Sequence, residues 1–372
     1  MALRLVVIGG IPRSLINFRG PLLRALVAAG HEVVAAAAPA PEDVVAELKV
    51  MGVRFCPVPL ARAGLNPLGD LKTLFALRAL IRREKPDCVL AYTAKPVIYG
   101  NFAARGLPGT RVYSMITGLG YGFGAHNLRQ RITGQLVQTL YRAALKNTSG
   151  VFFQNPDDRE EFLGRGLLAF DAPVTLINGS GVDLDWYAPK PLPQEPRFLL
   201  IGRLLADKGI REYVAAARIL KKRYPQAQFR IAGNIDANPL SISAEELKAW
   251  QDEGVIKYLG KLDDVRPALA DSQVYVLPSY YREGQPRTVL EAMAMGRPII
   301  TTDAPGCRET VVEGENGFLV PIKDAEALAA AMEQFILEPA LATRMGNASL
   351  QLARSKYDVH KVNATIMQGM GF

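Results

Sequence analysis

Apolar runs and amphipathic stretches alternate along almost the whole chain. Residues 3–9 form a short apolar run that ends in Gly9-Gly10. Ser14 to Ala29 then carries apolar positions at helical spacing and stops at Gly30. His31 to Ala38 is apolar again, and the alternation continues to Gln154. Short, continuous apolar runs suit strands covered on both faces, the condition of a parallel sheet. Strands alternating with amphipathic helices predict a doubly wound α/β sheet, whose ligands sit beyond the carboxyl ends of the strands. Three loops fall there: Gly9-Gly10-Ile11-Pro12, Tyr92 to Pro96, and Thr117 to Gly124.

The alternation breaks at Asn178-Gly179-Ser180-Gly181-Val182-Asp183 and at the four prolines between Pro189 and Pro196, which read as a linker. It restarts with apolar runs at Phe198 to Ile201, Phe229 to Gly233, Ile256 to Gly260, Val274 to Pro278, Pro298 to Thr301 and 317–320. A helix is predicted from Pro286, which needs no N–H at a first helical position, to about Met295, with Gly296 as its C-terminal cap. At 372 residues the chain exceeds one core, so two domains are expected, 1–182 and 183–354.

Composition changes this picture little: 49% of residues are hydrophobic and 22% charged, as in an ordinary globule. No apolar run reaches membrane-spanning length, and the start does not read as a secretory leader. Three distant cysteines (Cys56, Cys88, Cys307) and three scattered histidines predict neither a disulfide framework nor a metal cluster, and a cytoplasmic location. The net charge of +8 is uneven. Residues 1–185 hold 21 Lys/Arg against 14 Asp/Glu, and 186–372 hold 23 against 22. An anionic partner is therefore expected on the first half. Without a nucleic-acid module or basic-aromatic interleaving, an anionic membrane surface is preferred to nucleic acid. Two basic amphipathic helices, Asp70 to Lys85 and Asn127 to Lys146, are its candidates, although stripes such as theirs most often face a core.

Candidate chemistry gathers at strand ends. Arg203 and Lys208 bracket the loop after the Phe198 run and can grip a diphosphate together, arginine by geometry and lysine as a point charge. Glu283 and Glu291 flank the start of the Pro286 helix, whose first amides, near Arg287 and Thr288, suit an anion. Read blandly, Glu283 is a solvated loop residue, and Arg287–Glu291 a surface pair four residues apart. Lys95, where a strand end meets a helix start, either reaches a phosphate or is solvated. The evenly spaced Gly118, Gly120, Gly122 and Gly124 do not give a dinucleotide G-x-G-x-x-G pattern, so the loop reads as a mobile acceptor loop in which Tyr121 and Phe123 offer apolar contact. Asp183-Leu184-Asp185 looks like a D-x-D metal motif, but it falls in the linker and reads as a decoy.

Glu283-(seven residues)-Glu291, followed by AMAMGRPII, resembles the C-terminal signature of the family 4 retaining glycosyltransferases. Gly202-Arg203 to Lys208-Gly209 matches the family's G-R-x₄-K-G, and the turn at Asn178 resembles its N-G-V-D, expanded by two residues. T-x-K-P-x-x-Y-G (Thr93 to Gly100), T-G-L-G and S-Y-Y-R-E-G-x-P-R are similar to enzymes that build lipid-linked oligosaccharides. The resemblance covers nearly the whole chain. It implies a GT-B fold: two Rossmann-like domains and a last helix, within 355–372, that returns to the first domain. It further implies transfer of a sugar, expected to be N-acetylgalactosamine, from a UDP-sugar to a polyprenyl-diphosphate-linked saccharide at the inner face of the cytoplasmic membrane, without metal or cofactor. Arg203, Lys208 and Glu283 are then the catalytic set. Gly10, Gly260, Lys261, Leu262, Arg287, Thr288 and Glu291 join them in binding the nucleotide sugar, and Lys95, Thr117, Gly118 and Tyr121 meet the acceptor. Gln285-Pro286 stands where many relatives have Phe-Gly, which removes one phosphate-facing N–H. A nucleotide-sugar epimerase and a non-enzymatic two-lobed sugar-binding protein are the rival expectations.

Overall fold

The computed structural model describes residues 2–61, 64, 66–120, 123, 128–235 and 241–372, with main chain only at 128–130 and 147. It divides into two compact units, Met1–Ser180 with His360–Phe372, and Gly181–Val359. The chain thus leaves the first unit two residues before the expected boundary and returns to it after Val359.

The first unit runs β1 (Arg4–Ile8), α1 (Pro12–Asn17), α2 (Gly20–Ala28), β2 (Glu32–Ala37), α3 (Glu42–Val50), β3 (Arg54–Pro57), α4 (Pro67–Glu84), β4 (Cys88–Tyr92), α5 (Ala94–Ala104), β5 (Arg111–Ile116), α6 (Leu128–Ala144), β6 (Gly150–Phe153), α7 (Pro156–Gly164) and β7 (Val174–Leu176). Its seven strands are parallel in the order β3-β2-β1-β4-β5-β6-β7. Such a reversal of order at β1 and β4 creates a crevice at the strands' carboxyl ends. The single helix expected over Ser14 to Ala29 is two helices. Pro21 has no N–H to continue a helix but fits the first turn of a new one, so the break falls at Phe18 and Arg19.

The second unit runs β8 (Arg197–Ile201), α8 (Ile210–Arg223), β9 (Gln228–Ala232), α9 (Ala244–Asp252), β10 (Lys257–Tyr258), α10 (Arg266–Ala270), β11 (Val274–Leu277), α11 (Arg287–Ala294), β12 (Ile299–Thr302), β13 (Gly317–Val320), α12 (Ala325–Leu337) and α13 (Pro339–Leu352). Its sheet is also parallel, β10-β9-β8-β11-β12-β13. The last helix, α14 (Val359–Gly369), buries Val362 and Ile366 in the core of the first unit, and Met370 just after it joins them. There Arg111 and the Tyr113 hydroxyl both donate to the Met370 carbonyl at 3.0 Å.

Helix starts follow local chemistry. Asn66, Asn155, Ser243 and Asp324 cap α4, α7, α9 and α12 by accepting from an amide three residues on. The apolar stripe of α4 divides in two. Leu77, Leu80 and Ile81 enter the core with α5, whereas Leu68, Leu71 and Phe75 are 75%, 48% and 63% exposed. In α6, Ile132 and Leu136 are exposed as well, whereas Val137 and Leu140 pack against the core, so the core expectation holds for only part of each stripe. Arg142, expected at a membrane, instead donates to the carbonyls of Arg165 and Gly166 at 2.8 Å, closing the turn after α7.

Candidate donor site

The loop between β8 and α8 carries both predicted cations. After Gly202, Arg203 leads into a single tight turn, Ala206–Lys208, and Gly209 stands at the N-cap of α8 with φ +73. A Cβ at Gly209 would collide with the Pro278 carbonyl, so this position requires glycine. That approach sets the β8 loop against the loop leaving β11. The Tyr280 and Tyr281 amides both donate to the Asp207 carbonyl at 2.9 Å, which locks the two loops together.

Across this junction the Lys208 ammonium is paired with Glu283 Oε1, to which Ser279 Oγ also donates at 3.3 Å. The side chains of Lys208 and Glu283 are 11% and 14% exposed, so Glu283 is no solvated loop residue. Arg203 and Lys208 each lie 5.7 Å from the centre of the Tyr281 ring, within cation–π range. Tyr281 holds the two cations on one side of the site, a role no spacing rule would reveal.

The surface-pair reading of Arg287 and Glu291 is also overturned. Arg287 Nε lies 2.8 Å from Glu291 Oε1, but the Glu291 side chain is only 7% exposed. Tyr187 donates its hydroxyl to the same oxygen at 2.8 Å. Burial raises the pKa of Glu291, while Arg287 and Tyr187 oppose that by stabilising the carboxylate. Thr288 is tied inward, its hydroxyl 2.7 Å from that of Tyr275, which in turn donates to the Ile201 carbonyl at 3.0 Å. Pro286 is the N-cap of α11 and not its first residue, and no side chain caps the helix start. The missing N–H therefore lies outside the helix, and the amides of Arg287 and Thr288 keep their place in its first turn.

At the carboxyl ends of β8 and β9 lies a cavity of about 190 Å³, lined by Ile201, Gly202, Ala232, Gly233, Asn234, Lys261, Leu262 and Val265. Gly260 precedes this wall, and its carbonyl accepts from the Gly233 amide at 2.9 Å. Lys261 and Leu262, expected to bind the nucleotide sugar, thus share one hollow with the strand end that leads to Arg203. Arg203, Lys208, Glu283, Glu291 and the cavity all belong to one edge of one sheet.

The first unit gathers a second set at its own carboxyl edge. A Cβ at Gly10 would stand 3.0 Å from Thr93 Oγ1, and Thr93 has φ +69, a strained conformation for a non-glycine residue. Lys95 neither reaches out nor is solvated. It pairs with Asp70 at 2.6 Å, and both side chains are nearly buried. Thr117 and Gly118 (φ +105) leave β5 half-buried. Tyr121 lies outside the described residues. Phe123 is buried against Phe162 and Tyr141, with Arg165 over its ring, and so offers the acceptor no apolar contact.

Two doubly wound parallel sheets, one with paired cations, two carboxylates and a ring-sized hollow at its carboxyl edge, define an enzyme of the GT-B class. Solved structures share the architecture. A sucrose-phosphate synthase from Thermosynechococcus elongatus matches with TM-score 0.81 at 22% identity over 98% of each chain. HepE from Anabaena in complex with UDP matches with TM-score 0.77 at 17% identity over 100% of each.

Residues 19–178 match the family model "Glycosyl transferase 4-like domain" and residues 195–338 match "Glycosyl transferases group 1". The chain belongs to the family 4 glycosyltransferases. It is 28% identical, over 85% of its length and 84% of the relative's, to the N,N'-diacetylbacillosaminyl-diphospho-undecaprenol alpha-1,3-N-acetylgalactosaminyltransferase of Campylobacter jejuni. It is also 26% identical, over 74% of its length and 73% of the relative's, to the UDP-Gal:alpha-D-GlcNAc-diphosphoundecaprenol alpha-1,3-galactosyltransferase of Escherichia coli.

Proposed function

We propose that this enzyme moves a sugar, with retention, from a UDP-sugar to a saccharide carried on a polyprenyl diphosphate. N-acetylgalactosamine is the expected sugar. The observation that carries the reading is the convergence of Arg203 and Lys208 on the Tyr281 ring beside Glu283. In this reading the two cations take up charge as the diphosphate leaves, the largest single lever on such a barrier. The base enters the cavity beside Lys261 and Leu262, Glu291 accepts from the ribose, and Glu283 contacts the donor sugar or its phosphate. The acceptor hydroxyl attacks on the face that UDP leaves. Attack on that face needs no enzymic nucleophile, and the hydroxyl's proton passes to an oxygen of the departing phosphate as the bond from the sugar to UDP breaks. Both undecaprenol-linked relatives support the acceptor class.

The transfer is proposed to need no divalent metal, since the one metal-like motif, at Asp183, is engaged in a turn of the main chain. The test is a panel of UDP-sugars offered with a polyprenyl-diphosphate-linked saccharide, with and without EDTA. Glycosylated lipid and UDP should form in both conditions. Loss of activity in EDTA with recovery on adding Mg²⁺ or Mn²⁺ would contradict metal independence. An isomerised nucleotide sugar formed without acceptor would replace transferase by epimerase.

The acceptor lipid is proposed to be met at the inner face of the cytoplasmic membrane. Among the described residues no helix is long and apolar enough to cross a bilayer. The exposed Leu68, Leu71 and Phe75 form one ridge of α4, with exposed Lys72 beside it and Arg82 further along. Apolar contact beside basic charge fits an anionic bilayer. Replacing Leu68, Leu71 and Phe75 together by asparagine should lower sedimentation with anionic vesicles about tenfold or more, from apolar area alone. Donor hydrolysis should be spared. Unchanged sedimentation would remove α4 from the docking face.

A further inference from the structure

The segment that looks like a metal motif has another use. The Asp183 carboxylate accepts from the amides of Asp185 and Trp186 at 3.1 and 2.9 Å, and its carbonyl accepts from the Tyr187 amide at 2.9 Å. One end of this turn is pinned, because Val182 exchanges main-chain hydrogen bonds with Tyr357 and Val359 at 2.8 and 3.0 Å. Next to Tyr187, the exposed Trp186 ring is covered by the Arg266 guanidinium at 3.7 Å. The turn therefore has little freedom, and it delivers Tyr187 to a buried place against Glu291.

The groups around that carboxylate come from four elements. Arg287 is on its own helix α11, Tyr187 comes from the turn, Asp264 from the loop before α10, and Tyr275 from β11. Arg287 and Tyr187 favour the ionised form, while burial and Asp264 oppose it. Both favourable contacts fall on Oε1, one of two oxygens that together can accept about four donors.

We propose that Tyr187 is a positioning residue that holds the Glu291 carboxylate aimed at the donor's ribose, so that the site distinguishes ribonucleotides from 2′-deoxyribonucleotides. The proposal rests on the reading of Glu291 as the ribose acceptor. A hydroxyl with no fixed carboxylate to meet contributes little, whereas a fixed acceptor left without its hydroxyl costs binding. The Asp183 turn is the device that fixes it, which accounts for an acidic motif at a place where no strand ends.

Tyr187→Phe in the full chain tests this, because it keeps the ring and removes only the donor. Binding of UDP and of 2′-deoxyuridine diphosphate would be measured by calorimetry as the pH is lowered from neutral through the acid limb of binding. Wild type should prefer UDP. In Tyr187→Phe, UDP affinity should fall about tenfold, the scale of one hydrogen bond to a charged group, with the deoxynucleotide nearly unaffected. A carboxylate that has lost a donor protonates at higher pH, so the acid limb of UDP binding should move upward. KM for the nucleotide sugar should rise and kcat stay near wild type. Asp183→Ala, which loosens the turn without touching Glu291, should move every reading in the same direction. If wild type prefers UDP and Tyr187→Phe retains both that preference and the wild-type acid limb, Tyr187 only fills space and the proposal fails. If wild type binds both nucleotides equally, the ribose reading of Glu291 falls first and takes this one with it.

Discussion

With Lys208 replaced by alanine, turnover of the nucleotide sugar falls about 100-fold or more, and Arg203→Ala does the same, the scale for losing one partner of a developing charge. The two losses have different origins. Arg203 lies over Tyr281, and in the proposed role its removal takes away one donor to the diphosphate. Lys208 is also the partner of Glu283, and both side chains are nearly buried. Lys208→Ala therefore removes the cation beside the Glu283 carboxylate, whose negative charge then opposes an incoming diphosphate in addition to the loss of the lysine's own charge. Adding Glu283→Gln separates the effects. The double variant should regain UDP binding relative to Lys208→Ala, while turnover stays low. Single-turnover and steady-state rates across these variants check the prediction, with thermal melting to confirm folding. Near-normal rates in both Arg203→Ala and Lys208→Ala would remove the diphosphate from this loop.

Arg297→Met should lower the melting temperature by roughly 10 °C. Arg297 has no exposed surface, and its guanidinium donates to five carbonyls, those of Lys190, Pro191, Leu269, Ala270 and Met295, at 2.5 to 3.0 Å. Burial pulls its pKa down to about 10, which leaves it charged at neutral pH. It thereby joins the linker after Tyr187, the end of α10 and the turn between α11 and β12. Methionine fills much of the volume but removes the donor to the Lys190, Pro191 and Ala270 carbonyls, while those of Leu269 and Met295 still accept from the amides of Ser272 and Lys190. Each orphaned buried group costs about 1–3 kcal/mol, and partial rescue by water brings a combined loss of about 4 kcal/mol into range. For a unit of this size each kcal/mol moves the midpoint by about 2–4 °C. Lysine, a point charge with three donors, cannot replace the planar fork and should also destabilise. Calorimetry decides it: a midpoint within about 2 °C of wild type would mean that water satisfies the carbonyls and that the fork is dispensable.

Much of the candidate site was legible because its residues lie in short, ordered pieces. Arg203 and Lys208 stand five residues apart on one loop, and Glu283 and Glu291 flank one helix start, so each pair is close in space wherever the units fold. The helix of Glu291 was legible too, from its apolar positions and from Gly296 in a left-handed turn at its end. What was not legible arises from distant partners. Lys95 carries no mark of Asp70, 25 residues earlier, which neutralises it. Phe123 sits in a glycine-rich loop that reads as mobile, yet Phe162 stacks on it from another helix.

Periodicity, caps and breakers by themselves determined the parallel α/β architecture and the two units, while the returning helix and the order of the candidate-site motifs came from the family resemblance. The architecture and the units follow from interactions within a few residues and from which face of an element is apolar, and both are written locally. The tertiary structure alone decided the electrostatic state of the site. It put Glu291 out of water and placed Tyr187, 104 residues away, on its oxygen. It also closed Lys208 onto Glu283 and divided the apolar stripe of α4 between the core and solvent. Burial is a property of everything packed around a group, and a carboxylate's charge depends on that surrounding, so neither can be read from the residue's own neighbours in the chain.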